Sequence, residues 1–555
     1  MTPRPSRTPH NSARTCKPVL LLIFGFVSLA RAAPQATPVR EADATCGHCH
    51  EKIYRTYLNT PMANASGSAV DNLKTTTYVH QPSGVTYNIS KVDGKAKLTY
   101  RHRGDSAMPV ERPLSYFLGS GHLGVTYLYF IDDYLFESPV AWYAASQSYD
   151  MKPGLAEMRQ SFPTLPMQSS CMRCHMSAVQ PSDPGTINRY QGLPFLHSGI
   201  TCEACHGDTL EHVRSRGKAK VANPAVLDAD RRDSVCISCH LEGDVSVERA
   251  GKSALNYRPG ESISTYLAFY VRGGANLTAR GVSEVEQLSQ STCKRSSGDK
   301  MSCTSCHDPH FTPSPEQRTA FYRSKCLACH AQAEFAASHH TENQDCTSCH
   351  MRRTGAENIP HVAWTDHRIL RIPESTRDRP ENKAGSELAP IFSPGASKRD
   401  LAMAYYQLLL QGNRSFEAPA CEQLKQQKDS IANDAEALDA LGNLSAERGD
   451  GETAEQAFRR VLVLDPVDLT ALSNLGTLLA KQGKLGDAIQ LLRRAFDRNK
   501  DIPGLAMNLA RVECMAGDGA SARTTIETAL MYNPDLEDLR SLEHMTGCDA
   551  TAGNH

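Results

Sequence analysis

The sequence has no surplus of charge: 60 Lys and Arg stand against 61 Asp and Glu, a formal net of −1. That balance excludes the basic stripe of a nucleic-acid binder and the polybasic patch of a protein held on anionic lipid. Aromatic residues are scarce, at 6% with 2 Trp in 555 residues. Beyond residue 30 no apolar run is long enough to cross a bilayer, and mean hydropathy is −0.43. From 368 to 543 there is no histidine at all. The chain is too long for one core, and its length predicts two to four domains.

What is present begins with an export signal. Arg4, Arg7, Arg14 and Lys17 form a basic start, Val19 to Ala30 an apolar core, and Ala30-Arg31-Ala32 an A-x-A cleavage site. This pattern predicts a signal peptide over 1–32, hence a protein exported to the periplasm or the cell surface, with no transmembrane span after cleavage.

Cysteine and histidine carry the chemistry. Seven segments read C-x-x-C-H, and they supply Cys46, Cys49 and His50; Cys171, Cys174 and His175; Cys202, Cys205 and His206; Cys236, Cys239 and His240. The last three supply Cys303, Cys306 and His307; Cys326, Cys329 and His330; and Cys346, Cys349 and His350. Two thiols at this spacing add across the two vinyl groups of one haem, and the histidine that follows ligates the iron. Zinc ribbons and disulfide scaffolds use paired cysteines as well, but neither requires a histidine directly after the second one. The motifs therefore predict seven c-type haems.

A second axial ligand must come from elsewhere. Eleven further histidines lie between 33 and 400, namely His48, His80, His102, His122, His197, His212, His310, His339, His340, His361 and His367. His212 follows His206 by six residues and His310 follows His307 by three, so both can reach a neighbouring haem. His361 and His367, in HVAWTDHR, follow the last motif without attachment cysteines of their own. These four are the leading distal ligands, with His80, His102 and His122 as further candidates. Met62 could offer a thioether, although packing is the commoner role for a methionine. Cys293, Cys421, Cys514 and Cys548 lie outside the motifs and are available for disulfides.

The pattern between motifs predicts the architecture. Val85, Tyr87 and Ile89 alternate with Thr86, Asn88 and Ser90, and Asp132-Asp133 reads as a turn, so 73–145 is expected to be β-rich. Residues 371–396 are rich in Pro, Ser and charge, a linker. Beyond it Leu441, Leu475 and Leu509 recur every 34 residues, as do Ala454, Ala488 and Ala522, and Phe458, Leu492 and Ile526. A period of 34 with small residues at helix crossings is the tetratricopeptide pattern, and such repeats bind protein partners in a groove. The expected fold is mainly α: a haem-packed cytochrome domain over 33–370 with a small β-rich insertion, then a helical solenoid of repeats over 397–546.

The stretches CGHCHEKIYRTYLNTPMANAS, GITCEACHGDTLEHV, MSCTSCHDPH and HVAWTDHRI resemble exported multihaem cytochromes fused to tetratricopeptide repeats. The C-x-x-C-H-G…H and C-x-x-C-H-x-P-H pieces are also similar to the pentahaem nitrite reductase and octahaem hydroxylamine oxidoreductase superfamily. That resemblance implies close-stacked haems with mostly bis-histidine ligation. Pentahaem nitrite reductases often carry C-x-x-C-K at the catalytic haem, and this chain has none. The sequence thus favours an electron carrier with redox-protein partners and a repeat domain that docks a protein, with no catalytic residue assigned. The competing reading is a reductase of a small nitrogen or sulfur oxyanion with one open haem; another is a scaffold in which the repeats matter most.

Overall fold

A computed structural model describes residues 36–102, 108–159, 164–273, 282–331, 344–355, 363–371, 387–392 and 397–544. The signal segment and residues 372–386 and 393–396 of the linker lie outside the described residues.

The first motif is followed by helix α1 (Glu51–Tyr57). Strands β1 (Thr76–His80), β2 (Val85–Val92), β3 (Lys95–His102), β4 (Val110–Leu118), β5 (Gly124–Ile131), β6 (Tyr134–Glu137), β7 (Val140–Tyr143) and β8 (Ser148–Met151) then form an antiparallel sheet. Its spatial order is β8-β7-β5-β4-β3-β2-β1, with β6 on β5, and Ser66–Ser68 and Leu165–Pro166 as short additions. This ten-stranded sheet is larger than the small insertion expected from sequence, so a mainly α description holds for the repeats and not for the N-terminal region. The period-2 pattern sets its faces: Val85, Tyr87 and Ile89 are buried while Asn88 is exposed. Two-residue turns set its register. Val92 pairs with Lys95 across Asp93-Gly94, and Ile131 with Tyr134 across Asp132-Asp133. Asp93, Gly94 and Asp132 take positive φ, which glycine accepts freely and aspartate tolerates in such turns.

The later motifs sit on short helices and loops. Helix α2 (Leu210–Arg214) carries His212, α3 (Ala229–His240) ends in the fourth motif, and α4 (Pro315–Leu327) runs into the sixth. A three-stranded sheet of Val245–Glu248, Leu267–Arg272 and Leu388–Pro390 follows the fourth motif.

The C-terminal helices then stack in antiparallel pairs: α5 (Lys398–Leu410), α6 (Glu417–Gln426), α7 (Ala435–Glu447), α8 (Gly451–Leu464), α9 (Leu469–Lys481), α10 (Leu485–Arg498), α11 (Pro503–Met515), α12 (Gly519–Tyr532) and α13 (Glu537–His544). Asp434, Asp450, Asp468 and Asp518 cap the starts of four of them by accepting backbone N–H bonds. The 34-residue register is the contact between paired helices. Leu441, Leu475, Leu509, Phe458, Leu492 and Ile526 are all buried. A Cβ on Gly442 would lie 2.5 Å from the Phe458 ring, so only glycine lets α7 and α8 approach this closely.

The repeats do not stand apart. Val245, Val247, Ala268, Tyr270 and Leu388 belong to the same apolar core as Ala402, Met403 and Tyr405 of α5. Arg399 donates to Glu248 O at 2.6 Å and pairs with Asp434 at 2.8 Å, while Arg249 pairs with Asp400 at 2.8 Å. At the other end of the array Tyr134 donates to Arg498 O at 2.6 Å. Tyr532 donates to Asp132 Oδ2 at 2.8 Å, and Asn499 to Gly185 O at 2.8 Å.

Two outcomes follow. Gly442→Ala forces the Phe458 ring to shift and is expected to cost about 1–3 kcal/mol, read as a lower midpoint of helical unfolding. The second concerns Asp439, whose carboxyl is pushed up to about 9 by burial, with the Asp468 carboxylate beside it. An acid kept protonated in the fold but ionised when unfolded costs stability once pH rises above the ordinary carboxylate range. Asp439→Asn should therefore raise the unfolding midpoint at neutral pH and leave it unchanged in acid below that range.

Candidate functional site

The motifs come together through imidazoles from different segments. The His50 and His212 rings face each other with centroids 6.2 Å apart, His206 and His310 at 6.1 Å, and His307 and His367 at 6.3 Å. Two metal–imidazole bonds of about 2 Å, each ring centre about 1.1 Å behind its nitrogen, put the centres of a ligand pair about 6.2 Å apart. In each pair one histidine closes a C-x-x-C-H motif and the other is one singled out by its spacing. These separations, with the chemistry of the donors, fit an iron held between two imidazoles.

Several of these rings are also oriented for it. His206 Nδ1 lies 2.8 Å from Ala222 O, His212 Nδ1 2.7 Å from Ala219 O, and His367 Nδ1 2.9 Å from Thr365 O. His350 Nδ1 lies 2.7 Å from Leu370 O. A ring that donates from Nδ1 to a carbonyl keeps its Nε2 lone pair for a metal. His307 Nδ1 is instead 3.3 Å from the Tyr322 hydroxyl. Burial, then the neighbouring His367 and His240, push the His307 imidazolium down to about 4. Burial lowers His310 and His175 in the same direction. A neutral ring is the form that ligates.

The thiols cluster as well. Cys46 and Cys202 are within hydrogen-bonding reach of each other, as are Cys174 and Cys239, Cys236 and Cys303, and Cys326 and Cys346. The side-chain atoms of Asp43, Cys46 and Cys202 lie within 4.8 Å of one another. Asp43 is buried and accepts the Cys202 N–H at 3.0 Å.

Separate parts of the chain match known families. Residues 296–335 match the family model of a doubled CXXCH motif, and 141–207 that of cytochrome c554 and c-prime. Residues 440–501 and 479–543 match tetratricopeptide-repeat models. The chain is a multihaem c-type cytochrome fused to C-terminal tetratricopeptide repeats.

This cytochrome is similar to the multiheme cytochrome MtrA of Shewanella baltica (strain OS185), 24% identical over 180 residues, which are 29% of this chain and 52% of that protein. It is similar as well to the cellulose synthase operon protein C of Xanthomonas axonopodis pv. citri (strain 306). There identity is 33% over 143 residues, 23% of this chain and 9% of that protein. The chain thus spans about half the length of the first relative and under a tenth of the second. Among solved structures, MamA overlays with a TM-score of 0.23 and 20% identity over 24% of this chain and 78% of that one. A thermophilic repeat protein of Thermus thermophilus overlays with 0.22 and 22% identity over 26% of this chain and 76% of its own.

The other candidate ligands of the cytochrome are placed differently. His80 is buried with Nδ1 2.7 Å from Ser83 Oγ and Nε2 2.8 Å from Ala156 O, so both nitrogens are engaged inside the sheet. His102 ends β3 and His122 is exposed in the β4–β5 turn. Met62 packs with Val39, Tyr57 and Ala63. His361, His339 and His340 lie outside the described residues. Among the described residues, no imidazole stands at the ligand-pair separation from His175 or His240. Sequence reasoning missed the orienting groups: the carbonyls of Ala219, Ala222, Thr365 and Leu370, and the Tyr322 hydroxyl. Backbone carbonyls carry no side-chain signature that a motif could reveal. His197, one of the eleven histidines but not singled out by its spacing, has a buried Nδ1 that makes no hydrogen bond among the described residues.

Replacing His212, His310 or His367 by alanine is expected to open one iron each and add one high-spin ferric signal to the electron paramagnetic resonance spectrum. His80→Ala should leave the haem spectrum unchanged while weakening the sheet.

Proposed function

We propose that this chain is an exported electron-transfer protein that carries seven covalent haems and docks a protein partner through its repeats. The observation that carries the reading is the set of three imidazole pairs at 6.1–6.3 Å. An iron with both axial positions filled by histidine exchanges electrons without binding substrate, because no coordination site is free. At the three paired sites the chain's own residues would hold the group: two thiols anchor it and two imidazoles cap it, and carbonyl acceptors fix the tautomers of His206, His212 and His367. The matched cytochrome models support the same reading, and the resemblance to the nitrite reductase and hydroxylamine oxidoreductase superfamily extends it to closely packed haems. Export to the periplasm or cell surface rests on the signal-like residues 1–32, since covalent haem attachment follows export. The repeats serve as the docking module, and redox proteins are the expected partners.

Two measurements on the holoprotein test the proposal. Intact mass after maturation should exceed the polypeptide by seven haems, and five or fewer would overturn the count. Ferrous protein should bind little carbon monoxide and should exchange electrons rapidly with small redox proteins. Stoichiometric carbon monoxide binding together with rapid reoxidation by nitrite, hydroxylamine or tetrathionate would instead establish a reductase.

A further inference from the structure

The haem motifs are not neighbours in the order in which they occur along the chain. Motif one meets motif three: His212, six residues past His206, faces His50, and the Cys46 and Cys202 thiols touch. Motif two meets motif four: Cys174 reaches Cys239, and Arg173 donates to Ser238 O. Motifs three and four approach as well: the Cys205 thiol is within electrostatic range of both Cys236 and Cys239 of the fourth motif. The first four motifs therefore form one connected group.

Motifs six and seven form another, joined where Cys326 reaches Cys346. The fifth motif stands between the two groups, and it touches both by separate routes. Toward the first group, Cys303 reaches Cys236, and Arg232 of α3 donates to Asp299 O at 3.1 Å, just ahead of the fifth motif. His310, three residues past His307, faces His206. Toward the second group, the Tyr322 hydroxyl meets His307 Nδ1, and Tyr322 lies on α4, which carries Cys326 of the sixth motif. His367, facing His307, lies three residues before Leu370, whose carbonyl accepts from His350 of the seventh motif. Cys306 also lies near Cys329.

Resting on the reading given under Proposed function, we infer that the haem anchored at Cys303 and Cys306, between His307 and His367, is the bridge between a group of four haems and a group of two. Electrons passing between the two groups cross it. Each hop is a one-electron exchange in which one iron is oxidised and the next reduced, with no bond made or broken. An external redox protein supplies the electron and another removes it. Because electronic coupling falls steeply with separation, the shortest contacts set the route, and among the described residues those contacts converge on the fifth motif.

The test uses full-length holoprotein with His367→Ala and, as a control at the far end of the first group, His212→Ala. Each substitution opens one iron, to which carbon monoxide can be bound so that it no longer cycles. Electrons are then injected from a sub-stoichiometric photoreduced donor, and their spread over the haems is followed by absorbance. With carbon monoxide on His367→Ala, the haems are expected to split into two populations, and the rapid phase should be lost for one of them. With carbon monoxide on His212→Ala, the remaining haems should still fill in one phase. Equal behaviour of the two variants would overturn the bridge. Potentiometric electron paramagnetic resonance of the unmodified protein gives the same answer should His367→Ala fail to fold. Reduction of a bridging haem changes spin-coupled signals in both groups, whereas signals of the two groups that titrate with no shared step would refute it. An unmodified protein without covalent haem, or one that takes up no electrons, would overturn the proposed function itself, and that outcome is separate from either of these.

Discussion

The structure depends on histidines that reach across the chain to face one another. His50 and His212 are 162 residues apart in sequence, and His206 and His310 are 104 apart. Pairings of this length carry a loop-closure cost that short helices such as α1 and α2 cannot offset by themselves. The helices around these motifs bury few large apolar side chains: α4 buries none of its residues, and α3 buries only Ser234, Val235, Ile237 and Ser238. Ligation at a shared iron would supply the missing cohesion, in the way that structural metals stabilise small domains lacking a sufficient core. The carbonyl acceptors at Ala219, Ala222, Thr365 and Leu370 then have a structural sense. They hold the rings before a metal does, and so reduce the ordering that ligation must impose.

Such a protein could be read only in part from its sequence. The seven motifs were legible because covalent haem attachment demands a rigid local spacing, and His212 and His310, which come to face His50 and His206, sit within six residues of a motif. The repeats were legible because helix crossings recur every 34 residues. The size of the sheet was not: Ser66–Ser68 and Leu165–Pro166 are too short to show a period, and β6 to β8 are four residues each. His80 looked like a ligand because its neighbourhood could not be seen. Its two nitrogens are taken by Ser83 and by the carbonyl of Ala156, 76 residues away. Which proximal histidine each distal one faces was equally hidden, since that is a long-range property with no local pattern.

The junction between the cytochrome region and the repeats was hidden for the same reason. A Pro- and Ser-rich stretch over 371–396 reads as a linker, yet Leu388 within it and residues on both sides of it are built into one core. Tyr270 and Leu388 pack with Met403 and Tyr405, and Arg399 is buried against Glu248, Asp434 and Glu436. Separating the two parts would therefore expose an apolar face, break the Arg249–Asp400 ion pair and take the Glu248 carbonyl from the Arg399 guanidinium, which would keep its own carboxylate partners.

That double attachment, at α5 and again where Tyr532 meets Asp132, turns the solenoid from a leash into a bracket. A leashed partner samples many orientations, and its reaction is governed by an effective concentration that falls as the leash lengthens. A partner seated on a bracket approaches one patch of the cytochrome at one angle. Its electron transfer would then be set by a fixed distance, at a rate that neither dilution nor linker length changes, and the choice of partner would be at the same time a choice of which haem receives the electron.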